Sequence, residues 1–303
     1  MDGGGFATFK ERRELWIKCL AGDDRNSVMQ QIHRMIWNTA VFRIINESRR
    51  MAPPDEDGGF QLNGPVHRLI TEGFFDGQML AIRRLTDGYP IATAKCKRDV
   101  CCITGVLDDM LEHAHLMTRE NMLLVEAHEE HTIPDLDRLR KRELHEQMDL
   151  FAGVKADQRS PSDSVRPEVM KCLQKRVHDV SERFHVYVDK FIAHAASYES
   201  RQWVQADDLQ ITLNELYEGQ KVICQTANFI DLRLLRGTNN QVLAIPQYDH
   251  LAYIDRPLAT KDSVATLAQA WRDFDMETQE WSNWGMDGFR REFAAGNPAA
   301  PPK

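Results

Sequence analysis

Apolar residues recur every three or four positions through one segment of this chain after another, and no segment alternates apolar with polar residues as a half-buried strand would. A chain patterned in this way buries its apolar stripes by packing helix on helix. The periodicity predicts a helix over 6–20, with Phe9, Trp16, Cys19 and Leu20 on one side. A second starts at Asp23 or Asp24 as cap and runs to about 48, with Val28, Ile32, Ile36, Val41 and Ile45 inward. A third opens on Pro65 and presents Val66, Leu69, Ile70, Phe74, Leu80, Ile82 and Leu85.

Further helices are expected over 99–113, over 135–151 and, as one long element, over 168–200. A closing helix follows over about 209–235, with Asp207 or Asp208 as cap and Gly237 as stop. Gly219 inside it weakens helix propensity by about 1 kcal/mol relative to alanine. The last predicted helix carries Val264, Leu267, Ala268, Trp271, Phe274, Trp281 and Trp284, an aromatic side that reads as core or as a dimer surface. Residues 49–63, 153–167 and 238–262 read as loops.

The long 168–200 segment carries the main functional signal. Beside its apolar stripe of Val180, Phe184, Val188, Phe191 and Ala195 lies a second line: Arg176, Arg183, Tyr187, Lys190, His194 and Arg201. A row of cations with one phenol and one histidine has the chemistry to hold a phosphate. Arg83 and Arg84, at the end of the third helix, are candidates to face it.

Lys190-Phe191-Ile192-Ala193-His194-Ala195, taken with Arg83-Arg84-Leu85-Thr86-Asp87 upstream, resembles the HEPN superfamily, most closely its abortive-infection branch of bacterial phage-defence proteins. The resemblance covers roughly 64–237. It implies an all-α, up-and-down helical bundle that dimerises, here with extra N- and C-terminal helices. It also implies a metal-independent ribonuclease, in which His194 is the catalytic acid or base and Lys190 stabilises the phosphate. Arg183, Tyr187, Arg83 and Arg84 would then bind phosphate or RNA. Active members carry an arginine shortly before the histidine; positions 187, 188 and 189 here hold Tyr187, Val188 and Asp189. Arg140 and His145 have the family spacing but sit in the charge run of 137–146, which reads as a solvated helix face.

Composition bounds the rest. A net charge of −8 argues against a general nucleic-acid coat, though not against a local basic groove. No window is long and apolar enough for a transmembrane helix, and Met1-Asp2-Gly3-Gly4-Gly5 lacks a signal-peptide pattern. The six cysteines contain no Cys-x-x-Cys pair and read as reduced thiols of a cytoplasmic protein. His113, His115, His128 and His131, with Glu126, Glu129 and Glu130, read as solvated side chains rather than a metal site, so neither metal nor cofactor is expected.

The expected organisation is an N-terminal helical extension and loop over 1–63, the HEPN-like bundle over 64–237, and a C-terminal loop and aromatic-rich helix over 238–303. The expected function is a phage-defence or toxin-type ribonuclease with a degenerate motif, working as a homodimer on RNA and held by an antitoxin partner. The alternative is a non-catalytic module of the same fold that binds a nucleotide or a protein.

Overall fold

The computed structural model describes residues 3–51, 53, 63–88, 100–128, 134–193, 196–202, 204, 210–237, 242–243, 245–252, 254, 256 and 261–282. It is all-α: among the described residues there is no strand, only an isolated antiparallel bridge between Thr118 and Ser164. The helices are α1 Gly3–Ala21, α2 Val28–Arg50, α3 Gly64–Leu85, α4 Ile103–Glu112, α5 Arg119–His128, α6 Pro134–Ala152, α7 Pro167–Tyr187, α8 Tyr198–Arg201, α9 Leu213–Phe229 and α10 Val264–Ser282. None of them is long and apolar enough to cross a membrane.

The chain divides into two compact units, 1–244 and 245–303. The expected N-terminal extension therefore lies in the same unit as the bundle. Phe9, Trp16, Cys19 and Leu20 of α1 and Val28 and Ile32 of α2 are buried in the one core. α4 is short and apolar: its Ile103, Val106, Leu107 and Met110 are buried, and it packs against α7 and α1. In the second unit the described apolar residues of α10 are exposed: Trp271 by 79%, and Leu267 and Phe274 by more than half. The side chain of Trp281, and Trp284 altogether, lie outside the described residues.

Several elements differ from the periodicity reading, each for a local reason. The inward face of α2 is Val28, Ile32, Met35, Thr39 and Phe42, while Val41 is exposed. Thr39 is tolerated inside because its hydroxyl has the Met35 carbonyl at 3.0 Å and Gln220 Oε1 at 3.2 Å as acceptors, and Gln220 Nε2 donates to Gln78 Oε1 at 2.9 Å. This buried polar chain joins α2, α9 and α3; Leu69, near the start of α3, is exposed. Asp24 does not cap α2: its carboxylate accepts the Asn26 N–H instead, and Ser27 occupies the cap position.

The long predicted helix is broken. α7 ends at Tyr187, and a π-turn follows over Val188–Ile192, with the Ala193 N–H donating to the Val188 carbonyl at 2.7 Å. Arg201 belongs to the separate α8, so the cationic line does not run down one helix. His194 and Ala195 lie outside the described residues. α9 starts later than expected, at a capping box in which Thr212 and Glu215 bond reciprocally; Asp207 and Asp208 lie outside the described residues. Gly219 marks a close approach, since a Cβ there would stand 3.0 Å from the Phe184 ring of α7. A second π-turn, Ile230–Leu234, ends the closing helix, and Arg13 of α1 reaches across to cap the Leu235 carbonyl at 2.6 and 2.9 Å.

Trp16 is fully buried, and its indole N–H donates to Asp109 Oδ2 at 2.6 Å, tying α1 to α4. Arg12 meets the same carboxylate at 3.3 Å. Asp109→Ala is expected to lower the unfolding free energy by about 1–3 kcal/mol, the scale of stranding a buried donor. Asp109→Asn should cost less, because an amide oxygen still accepts the indole. Urea unfolding followed by circular dichroism checks this, and equal midpoints for wild type and the alanine variant would contradict it.

Candidate functional site

The residues singled out by sequence separate into two groups. Arg83, in the last turn of α3, turns toward α7: Nη1 meets Asp87 Oδ2 at 2.7 Å and Nε meets Asp189 Oδ1 at 2.8 Å. It thus lies on the π-turn side, as a candidate facing the line of cations would. Three cations of that line, Arg176, Arg183 and Lys190, have partners of their own. Arg183 is paired with Glu215, Arg176 donates to Gln225, and Lys190 Nζ donates to Ser200 Oγ at 2.7 Å. Tyr187 packs on Phe191, with ring centroids 5.1 Å apart.

A histidine that the sequence reading passed over sits in this corner. His185 Nε2 lies 2.7 Å from the Thr86 hydroxyl. That hydroxyl also donates to the Ile82 carbonyl at 2.9 Å, so its single proton is shared between two claims. With the proton spent on Ile82, His185 is the donor through Nε2–H. Burial, and then Arg83, hold His185 below the usual histidine range, against the pull of Asp87 and Asp189.

Arg84 points the other way. It lines a cavity of about 510 Å³ between α1, α2, the end of α3 and the segment leading into α4. Leu15 and Val100 give this cavity an apolar wall, and Asp24, Asn26 and Gln31 give it polar groups. Gln31 Nε2 braces the wall, donating to the Asn26 carbonyl at 2.7 Å and to the Cys101 carbonyl at 2.9 Å.

Three cations reach the cavity from three helices: Lys18, Arg34 and Arg84. All three are exposed, and among the described residues none is paired with a carboxylate; Arg34 donates only to the Arg25 carbonyl, at 2.8 Å. The two acids on the wall are otherwise engaged. Asp87 is held by Arg83, and Asp24 accepts the Asn26 N–H at 2.7 Å. In a chain of net charge −8, the cavity lining carries three cations against two carboxylates, one of which, Asp87, is already paired with Arg83.

The remaining candidates resolve differently. Arg140 and His145 share α6 but not a site: Arg140 stands 4.0 Å from the buried Glu126, whereas His145 Nδ1 lies 3.2 Å from Arg119 Nη1. Arg119, only 2% exposed, is anchored by Asp149 at 2.8 Å and Asp163 at 3.0 Å. A second cavity is lined in part by Arg119, His145 and Arg159, and there the two arginines belong to an ion-pair network with Asp149 and Asp163.

His131 lies outside the described residues, as does the side chain of His128. One set with ligand-like spacing is Asp109, Glu112 and His113, whose ligand atoms lie within 4.8 Å of one another. Asp109 there already serves Trp16 and Arg12. Lys18 and Arg34 carried no signal in the sequence, because they converge from separate helices.

A comparison of the chain with protein-family models, curated proteins and solved structures finds no match. The resemblance to the HEPN superfamily therefore rests on its short motifs alone.

The state of His185 has a measurable consequence. The unfolded chain protonates this histidine near 6.5, and the folded protein resists it, so the unfolded state binds more protons just below that pH. Stability is therefore full above about 6.5 and falls as the pH drops through that value toward the lowered native one. His145, depressed by burial and Arg119, adds in the same direction. The melting temperature is expected to fall between about pH 7 and about pH 5.5, and to fall less in His185→Gln. A wild-type melting temperature that does not change over this range, or an unchanged slope in the variant, would contradict the assignment.

Proposed function

We propose that this chain is a helical binding protein whose α1–α2–α3 cavity holds an anionic small molecule, with nucleoside phosphates as the class that fits. The observation that carries this reading is the convergence of Lys18, Arg34 and Arg84 on one cavity without carboxylate partners among the described residues. Guanidinium groups without a carboxylate partner supply forked donors to phosphate oxygens, and Lys18 adds a point charge. The apolar wall of Leu15 and Val100 suits a base or sugar face, and the Asn26 and Gln31 side chains lie where polar edges would be read. A volume of about 510 Å³ is within the range of small-molecule sites.

This reading takes up the non-catalytic branch of the sequence expectation. The ribonuclease branch draws less support, because the described cations Arg83, Arg183 and Lys190 are engaged with Asp87 and Asp189, Glu215 and Ser200.

The test is calorimetric titration of the full chain with adenosine triphosphate, with inorganic phosphate and adenosine as controls. Saturable binding of the triphosphate is expected, weakening as salt is raised. Arg84→Ala should weaken it by about tenfold or more, the scale of losing a charge-assisted hydrogen bond. No saturable binding, or binding unchanged in Arg84→Ala, would overturn the proposal.

A further inference from the structure

Cys19 and Cys101 also line this cavity, one on α1 and the other just before α4. Cys19 is buried and Cys101 half-buried. The two thiols share this wall closely enough for each to shift the other's ionisation, and the Cys102 backbone N–H bears on the Cys19 sulfur. Cys102 faces elsewhere. Its thiol donates to the Asp87 carbonyl at 2.9 Å, and its sulfur accepts the Gly105 N–H at 3.3 Å as the cap of α4. The Gln31 bond to the Cys101 carbonyl holds the segment in place from α2. So one half-buried cysteine stands beside one buried cysteine on the wall of an open cavity, and the thiol of the third, next in sequence, is bonded to the Asp87 carbonyl.

The two thiols are also unequal. The neighbouring Cys19 thiol, with Lys18 behind it, draws Cys101 below the ordinary thiol range, against burial and Asp24. Cys101, then burial, pushes Cys19 upward, so its proton stays on sulfur. The start of α4 close by adds the favourable end of a helix dipole for a thiolate.

We infer that Cys101 and Cys19 form an oxidisable thiol pair, in which Cys101 is attacked first by a hydroperoxide and Cys19 resolves it to a disulfide. The Cys101 thiolate displaces hydroxide from the peroxide O–O bond and becomes a sulfenic acid. The Cys19 thiol then attacks that sulfur, the S–S bond forms, and the sulfenic oxygen leaves as water with the thiol proton. Overall, two thiols and one hydrogen peroxide give one disulfide and two waters. The product staples α1 to the lead-in of α4 across the cavity wall, and a dithiol reductant reverses it. This inference does not rest on the anion-binding reading, since the pair exists whatever the cavity holds.

The test treats the full chain with hydrogen peroxide, blocks the remaining thiols, and maps linked peptides by fragment sequencing in a mass spectrometer. The exposed Cys172 serves as an internal reference. A Cys19–Cys101 link is expected at peroxide doses that leave Cys172 unmodified, and dithiothreitol should remove it. Cys102→Ser should keep the link and Cys101→Ser should lose it. In Cys19→Ser, Cys101 should instead accumulate as a sulfenic acid trapped by dimedone. Should either serine variant fail to fold, the wild-type map still decides. A link from Cys19 to Cys102, or Cys19 and Cys101 still reduced when Cys172 is oxidised, would overturn the inference.

Discussion

The guanidinium of Arg83 bridges Asp87 and Asp189, and this one side chain sets both the shape and the charge of the surrounding structure. It ties the last turn of α3 to the π-turn that follows α7. It also occupies the Asp87 carboxylate, which would otherwise face the three cations of the neighbouring cavity. Arg84, the next residue on the helix, is rotated about 100° and so emerges on the other side. Adjacent arginines thus do opposite jobs: one neutralises, and the other remains available to an incoming anion.

The same economy explains the corner around His185. Arg83 discourages its protonation, and burial reinforces that. The imidazole stays neutral against Thr86, whose hydroxyl also bonds within its own helix. A π-turn over Val188–Ile192 carries Asp189, the carboxylate that meets Arg83 from this side. Single π-turns of this kind often mark functional sites in helices.

Much of the fold was legible because burial follows the helical period directly. α1 was read with its core residues, as the burial of Phe9, Trp16, Cys19 and Leu20 shows, and α4, α6 and α9 stand close to where helices were expected. The reading failed where polar groups are satisfied inside. Thr39, Gln78 and Gln220 bury each other, so the inward face of α2 was drawn one position off, through the exposed Val41. It failed again at 188–192, where apolar spacing continues but the hydrogen-bond register changes. The candidate site was legible only in part. Arg84 stood out beside Arg83, but Lys18 and Arg34 are ordinary surface cations on their own helices, and only the packing of three helices brings them together. The Cys19–Cys101 pair has no spacing to betray it.

The central claim is that the cavity is an anion site because Arg83 keeps Asp87 occupied. Nucleoside triphosphate affinity in Arg83→Met tests this most directly, with Arg83→Met/Asp87→Asn as the matched double variant and helical content checked by circular dichroism. Arg83 acts here as a positioning residue, since it does not line the cavity. The account predicts weaker binding in Arg83→Met, where the freed Asp87 carboxylate competes for the cations, and recovery toward wild type in the double variant. Unchanged affinity in a folded Arg83→Met protein, or no recovery in the double variant, would contradict it.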